Sequence, residues 1–326
     1  MVVVPQAHCV TPALTQPASP NACKIKPLLC LLWTLIACGC KDRSPEVVVY
    51  TSQDRVYAEP IFADFSRATG IKVRPLFDTE AAKTVGLASR LLAEKHHPQC
   101  DLFWNNEELR TWQLASRGVV ETNWAYLGFR SRLIVANTNI APLKARNLDL
   151  DILMQPWCSG KVAIASPLFG TTATYFLALR QYWGEERWTS WCRALAANKV
   201  LLVSGNSDVV NLVGRGEAWF GLTDSDDIFA GQREGFPVRE QQPSDVPPML
   251  IPNTIAFVVN RPHPEQAQKL LEYLLQPEIA ARLVTARALD SAASIDSIRG
   301  RLRVDYPRAV AEIEPATAAL EKIFLK

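Results

Sequence analysis

The chain has 326 residues, with 35 Lys and Arg against 33 Asp and Glu, for a formal net charge of +2. That balance gives no basic field for nucleic acid and no acidic tail. Eight cysteines are scattered without a CxxC pair, which excludes the usual spacing of a zinc site.

Residues 1–23 contain Pro, Gln, Ser and Thr, show no apolar period and are assigned no fold. Lys24 and Lys26 then precede an apolar run over 27–37, which is too short to cross a bilayer, a task needing about 20 residues. This is the layout of an export leader covering 1–37. Leu35-Ile36-Ala37-Cys38 resembles a bacterial lipobox, so Cys38 is the expected lipidation site, with Cys40 as the second candidate. A plain secretory leader cut nearby is the alternative, and both place the mature chain outside the cytoplasm. Enough chain remains for two lobes. Outside the cytoplasm a disulfide is permitted, with Cys158–Cys192 as the pair to test against buried free thiols.

In the mature chain, Val47-Val48-Val49-Tyr50 is an apolar strand that exits through Ser52, Gln53 and Asp54 into a helix over 56–69, ended by Gly70. A strand over 71–77 exits through Asp78, Thr79 and Glu80 into a helix over 81–95, with acidic residues at the positive end of its dipole. Asp101-Leu102-Phe103-Trp104 exits through Asn105 and Asn106 into a helix over 107–116. A longer strand covers 129–137. The second half repeats the pattern. Val162-Ala163-Ile164-Ala165 leads to Phe169, Gly170, Thr171 and Thr172, with a helix over 174–183. A Trp-rich helix over 185–198 and the strand 200–203 lead to Asn206, Ser207 and a helix over 209–215. Trp219-Phe220-Gly221-Leu222 exits through Thr223, Asp224, Ser225, Asp226 and Asp227 into another helix. A strand over 255–259, helices over 264–275 and 277–287, and a C-terminal helix over 306–324 complete the chain.

This is an α/β architecture, in which ligands collect at the carboxyl ends of strands, where these polar loops lie. The corners at Gly170-Thr171-Thr172 and Asn206-Ser207 are helix starts, whose unpaired N–H groups and dipole can hold an anion. An ordinary strand-to-helix turn with a Thr N-cap is the simpler alternative there. Helix capping and dipole compensation is the equivalent alternative for Asp224, Asp226 and Asp227. Arg130 and Arg132 can add charge-assisted bonds to an anion, or be surface charges.

Tyr50-Thr51-Ser52, Phe65-Ser66-Arg67-Ala68-Thr69-Gly70-Ile71-Lys72-Val73, Leu91-Leu92-Ala93-Glu94-Lys95, Gly160-Lys161-Val162-Ala163-Ile164-Ala165 and Leu270-Leu271-Glu272-Tyr273-Leu274-Leu275 resemble the solute-binding proteins of bacterial iron(III)-type ABC importers. The resemblance implies a two-lobed type II periplasmic-binding-protein fold with a ligand cleft between lobes. Lobe 1 would comprise 46–130 and 252–296, and lobe 2 would comprise 131–251 and 297–326. It also implies a monomer, a small solute, an ABC permease with its ATPase as partners, and a periplasmic or cell-surface location on a lipid anchor. The strand exits of both lobes and the crossover give the expected ligand-binding residues as Ser52, Asp54, Glu80, Asn105, Arg130, Phe169, Gly170, Thr171, Thr172, Asn206, Thr223, Asp224 and Asp226.

The family's nominal solute is ferric iron, Fe(III), carried as cargo and not as a resident cofactor. Ferric-binding members hold it through adjacent tyrosines at a strand exit, where this chain reads Thr223-Asp224-Ser225-Asp226-Asp227. Two solutes therefore stay open. One is a hard cation met by carboxylates, with Glu80, Asp226 and Asp227 as metal ligands and Asp54 nearby. The other is an oxyanion-bearing organic compound such as a sugar phosphate or phosphonate, whose hydroxyl or amine groups meet the acidic stretch. An exported enzyme on the same frame is a further reading. Against it, the sequence holds no HExxH, GxSxG or Walker loop. A structural lipoprotein presenting Trp183, Trp188 and Trp191 as an interaction face is another, with burial of these rings on helix faces as its alternative.

Overall fold

The computed structural model describes residues 44–78, 85–140 and 148–325. The leader, Cys38, Cys40 and Glu80 lie outside the described residues.

Strand β1 (Glu46–Thr51) is followed by α1 (Arg55–Thr69), β2 (Lys72–Phe77), α2 (Val85–Ala93), β3 (Leu102–Asn105) and α3 (Glu108–Ser116). Next come the long β4 (Ala125–Asn137), β5 (Val162–Ala165), α4 (Gly170–Trp183), α5 (Glu185–Ala197), β6 (Leu201–Val203) and α6 (Asn206–Gly214). The chain continues through β7 (Phe220–Asp224), α7 (Ser225–Arg233), β8 (Val238–Gln241), β9 (Met249–Phe257), α8 (Pro264–Leu274), α9 (Pro277–Thr285) and α10 (Tyr306–Phe324).

The strands form one sheet in the order β2-β1-β3-β9-β4-β7-β5-β6, with β8 also on β4. Each end is parallel, β1 with β2 and β3 in one lobe, and β5 with β6 and β7 in the other. Between them, β4 and β9 run antiparallel from Ala125↔Ile255 to Arg132↔Met249, so both crossings between lobes lie side by side. β4 begins earlier than its apolar pattern suggests, because 125–128 already pair with β9 across a register shift at Gly128. That glycine has φ +135°, and a Cβ there would lie 2.3 Å from the Ser291 carbonyl oxygen, so only glycine fits.

Each lobe has its own core. Val47, Val49, Ile61, Phe65, Leu102 and Trp104 pack with Leu270 and Leu283 in the first. In the second, Ile134, Ile164, Phe176, Leu179 and Phe220 pack with Ala309 and Leu320 of α10. Burying side chains of this size contributes about 1.5–3 kcal/mol each. Trp188 and Trp191 are buried in that second core, with the Trp191 ring 5.3 Å from Phe176 and 5.5 Å from Trp183. These indoles are therefore core packing of α4 on α5, and an exposed tryptophan face is not formed. Cys100, Cys158 and Cys192 are all free and buried, so the Cys158–Cys192 bridge is not made. Among the described residues, no helix is long and apolar enough to cross a membrane.

Candidate functional site

The polar exits of β1, β3, β5, β6 and β7 converge on a cleft between the lobes, because parallel strands present all their carboxyl ends on one side. The cleft holds about 490 Å³ of atom-free space, part of it open to solvent. Ser52 and Asn106 line it from the first lobe, and Arg130 from the crossover. The second lobe contributes Ser166, Phe169, Gly170, Thr171 and Thr172 from one corner, Ser204, Gly205 and Asn206 from another, and Asp227 from α7.

Two of these walls are helix starts. The α4 N-cap is Phe169 and the α6 N-cap is Gly205, and neither helix has a side-chain cap bond. The Thr N-cap expected from the sequence is not present. Gly170 takes φ +55° at the first helical position, a backbone shape that favours glycine. The two threonines that follow do not cap their own helix. Their hydroxyls instead meet Arg132 of the crossover strand and Asp224 at the end of β7. Arg132 Nη2 donates to Thr172 Oγ1 at 2.8 Å, and Thr171 Oγ1 donates to Asp224 Oδ2 at 2.7 Å.

Arg132 is the centre of this arrangement, although it does not reach the cleft. It is 0% exposed, and its Nη1 lies 2.7 Å from Asp224 Oδ1 and donates to Asn206 Oδ1 at 2.9 Å. Asn206 Nδ2 in turn donates to Asp224 Oδ2 at 2.9 Å. Both oxygens of Asp224 are thus used within the protein, and its role is to fix the starts of α4 and α6. Burial works to raise its carboxyl, but the guanidiniums of Arg130 and Arg132 outweigh that and hold it below the ordinary range.

Arg130 does face the cleft. It is 6% exposed, pairs with Asp226, and sits 3.3 Å from Asp224. Burial opposes its charge, and the carboxylates of Asp226, Asp224 and Asp227 more than offset it, raising its pKa above the ordinary arginine value. Its Nε is buried and has no hydrogen-bond partner within the protein.

The remaining expected residues divide by depth. Ser52 lines the cleft and donates to Asn105 Oδ1 at 2.8 Å, which leaves Asn105 fully buried behind it. Thr223 is likewise buried, donating to the Asn206 carbonyl at 3.1 Å. Asp54 is the N-cap residue of α1 and is not among the cleft-lining residues. Asp224, Asp226 and Asp227 bring carboxylate oxygens within 4.8 Å of one another, with Asp227 on the cleft wall.

Sequence reading places Asn106 at a strand exit but leaves it out of the ligand set, and it misses Asn253. Asn253 Nδ2 donates to Asn106 Oδ1 and to Gln53 Oε1, both at 2.9 Å, and Asn253 Oδ1 accepts from the Trp104 indole at 2.6 Å. This amide network ties the two strand exits of the first lobe to β9. Its signal was Asn253-Thr254, a polar pair interrupting an otherwise apolar strand.

A profile of bacterial extracellular solute-binding proteins matches residues 46–286. No curated protein matches the chain. Among solved structures, iron-bound HitA from Pseudomonas aeruginosa aligns with a TM-score of 0.72 at 18% identity, covering 86% of this chain and 99% of that one. AfuA from Actinobacillus pleuropneumoniae, with fructose-6-phosphate bound, aligns at 0.71 and 15% identity, covering 85% and 97%. Trichodesmium IdiA (FutA), in complex with iron and citrate ligands, aligns at 0.67 and 17% identity, covering 86% and 100%. At such identities these structures speak for the two-lobed fold alone. The profile spans most of the chain and both crossovers, and the chain belongs to the family of bacterial extracellular solute-binding proteins.

Proposed function

We propose that the protein captures an oxyanion-bearing organic solute, such as a phosphate or phosphonate ester, and delivers it to the permease of an ABC importer. It would work by lobe closure as a monomer anchored outside the cytoplasm through lipidated Cys38, with an ATPase driving the permease and no covalent chemistry of its own. Lobe 1 would be 46–130 with 252–296, and lobe 2 would be 131–251 with 297–326.

The observation that carries this reading is the convergence of three anion-seeking groups on one cleft. The starts of α4 and α6, uncapped by side chains, and Arg130 all line it. Asp227, next to the Arg130–Asp226 pair, suits a hydroxyl or amine of the same solute. Phe169, 38% exposed, offers an apolar face beside it. A relative by fold, AfuA, was solved with a sugar phosphate.

Ferric iron is the second reading, favoured by the close carboxylates of Asp224, Asp226 and Asp227 and by the iron-bound relatives of the same fold. Two buried guanidiniums already neutralise Asp224 and Asp226, and no tyrosine lines the cleft among the described residues. A trivalent cation would sit beside Arg130 at a Coulombic cost.

Native mass spectrometry of protein released gently from the envelope, compared with its denatured mass, tests both. A bound organic mass carrying phosphorus is expected. A bound mass of one iron, without an organic anion, would overturn the oxyanion reading.

A further inference from the structure

A second polar site lies away from the cleft. Glu108, the first residue of α3, is 5% exposed. Its Oε1 accepts bonds from the Tyr126 hydroxyl and, at 3.2 Å, from the Trp112 indole. Burial pushes its carboxyl up, and the groups that counter this are aromatic hydrogen-bond donors, with no cation among them. A buried carboxylate without a counter-ion is costly, so the group takes up a proton unless a cation meets it.

Glu108 opens on a cavity of about 560 Å³ of atom-free space, part of it open to solvent, walled by Trp112, Tyr126 and Tyr306 and flanked by the segment around Arg301. The Trp112 and Tyr306 rings are nearly parallel, at 8° with centroids 6.1 Å apart. Arg301 is the basic group on this wall, and it is already held by Asp296 at 2.9 Å and by the Ile295 carbonyl at 3.0 Å. One carboxylate thus remains unbalanced among aromatic faces. Ring faces attract cations, and best those whose charge is spread over alkyl groups. A metal ion would gain little from such walls.

We propose that this cavity is a binding site for a small organic ammonium ion, its charge against Glu108 and its alkyl groups on Trp112, Tyr126 and Tyr306. The site shares no lining residue with the cleft and does not depend on the identity of the transported solute. Its walls come from α3 on one side and from the start of α10 on the other. An occupant would therefore touch elements that follow the strands of the first lobe and pack in the core of the second.

The test is a titration with tetramethylammonium chloride at constant ionic strength, read by tryptophan fluorescence, with uncharged tert-butanol as the control of similar shape. A saturable change with tetramethylammonium, none with tert-butanol, and at least tenfold weaker binding in Glu108→Gln are expected. No saturable change in the wild type, an equal response to tert-butanol, or unchanged affinity in Glu108→Gln would overturn the proposal. If circular dichroism shows that Glu108→Gln does not fold, Tyr126→Leu decides, since Tyr126 is 47% exposed. At least threefold weaker binding is then expected, and unchanged binding sinks the site.

Discussion

Arg132 on β4 and Asp224 at the end of β7 are register partners in an antiparallel ladder, and their side chains form an ion pair of 2.7 Å with both residues 0% exposed. Breaking such a pair from one side leaves a buried charge without its partner, which costs about 3–5 kcal/mol. Arg132→Met is therefore expected to lower the free energy of unfolding by about that amount in urea melts. Asp224→Asn in the same background should cost less than it does alone, because the carboxylate it removes has already lost one of its two guanidinium partners, Arg130 being the other. Strict additivity in this double-mutant cycle would show that the two side chains do not act as a pair.

The strand exits were legible in the sequence because each apolar run ends abruptly in small polar residues, as at Ser52, Asn106 and Asp224. What those residues meet was not legible. The three aspartates read as a group available to a cation, since the guanidiniums opposite them arrive from β4, 92 residues earlier in the case of Arg132 and Asp224. Only the antiparallel register brings them together. Thr171 and Thr172 read as caps for their own helix, the local option. The long-range partners Arg132 and Asp224 take them instead. Asn105 and Asn106 could not be told apart by sequence, since neighbouring residues at a strand exit take opposite directions. Asn105 turns inward to Ser52 and Thr111, and its neighbour faces the cleft.

The site should also mark the pH dependence of stability, with two carboxylates acting in opposite directions. Asp224 has its pKa held below the ordinary value, so its contribution is present above about pH 4 and is lost as pH falls through the folded value. The stability gap between wild type and Asp224→Asn should therefore narrow below about pH 4. Glu107, fully buried, has its pKa raised by burial. Its contribution is full below about pH 4.3 and is lost as pH rises through the folded value. Glu107→Gln should gain on wild type as pH rises from about 4.3 towards neutrality, since the amide never ionises. Urea midpoints taken across this range would show both trends, and parallel curves would contradict them.

Cys100, Cys158 and Cys192 are each 0% exposed, and burial pushes all three thiols up. Reactivity follows the accessible thiolate. In the folded protein at pH 8, these residues are expected to resist a thiol-specific reagent such as DTNB, and to react at once in strong denaturant. Peptide mapping of the labelled protein would assign the signal. Fast native labelling at Cys158 or Cys192 would mean that the α4–α5 core opens locally.

Glu107 has a further use that ties the lobes together. Its carboxylate accepts bonds from the Leu109 and Arg110 amides at the start of α3, and also from the Thr174 hydroxyl on α4 at 3.1 Å. Neither residue lines the cleft, so this bond acts on the arrangement of the lobes and not on the solute. A buried hydrogen bond of this kind contributes about 1 kcal/mol. Thr174→Val keeps the volume and removes the donor, and should shift the ligand-free protein towards a more open form by about fivefold in population. Small-angle scattering should then show a larger radius of gyration, with the far-ultraviolet circular dichroism spectrum unchanged. An unchanged radius together with a loss of stability of about 1 kcal/mol would place the bond within one rigid unit, and closure would have to be held elsewhere. The Arg233 guanidinium is the next contact to remove, since it reaches the Tyr57 hydroxyl at 2.9 Å and the Ala286 carbonyl at 3.2 Å.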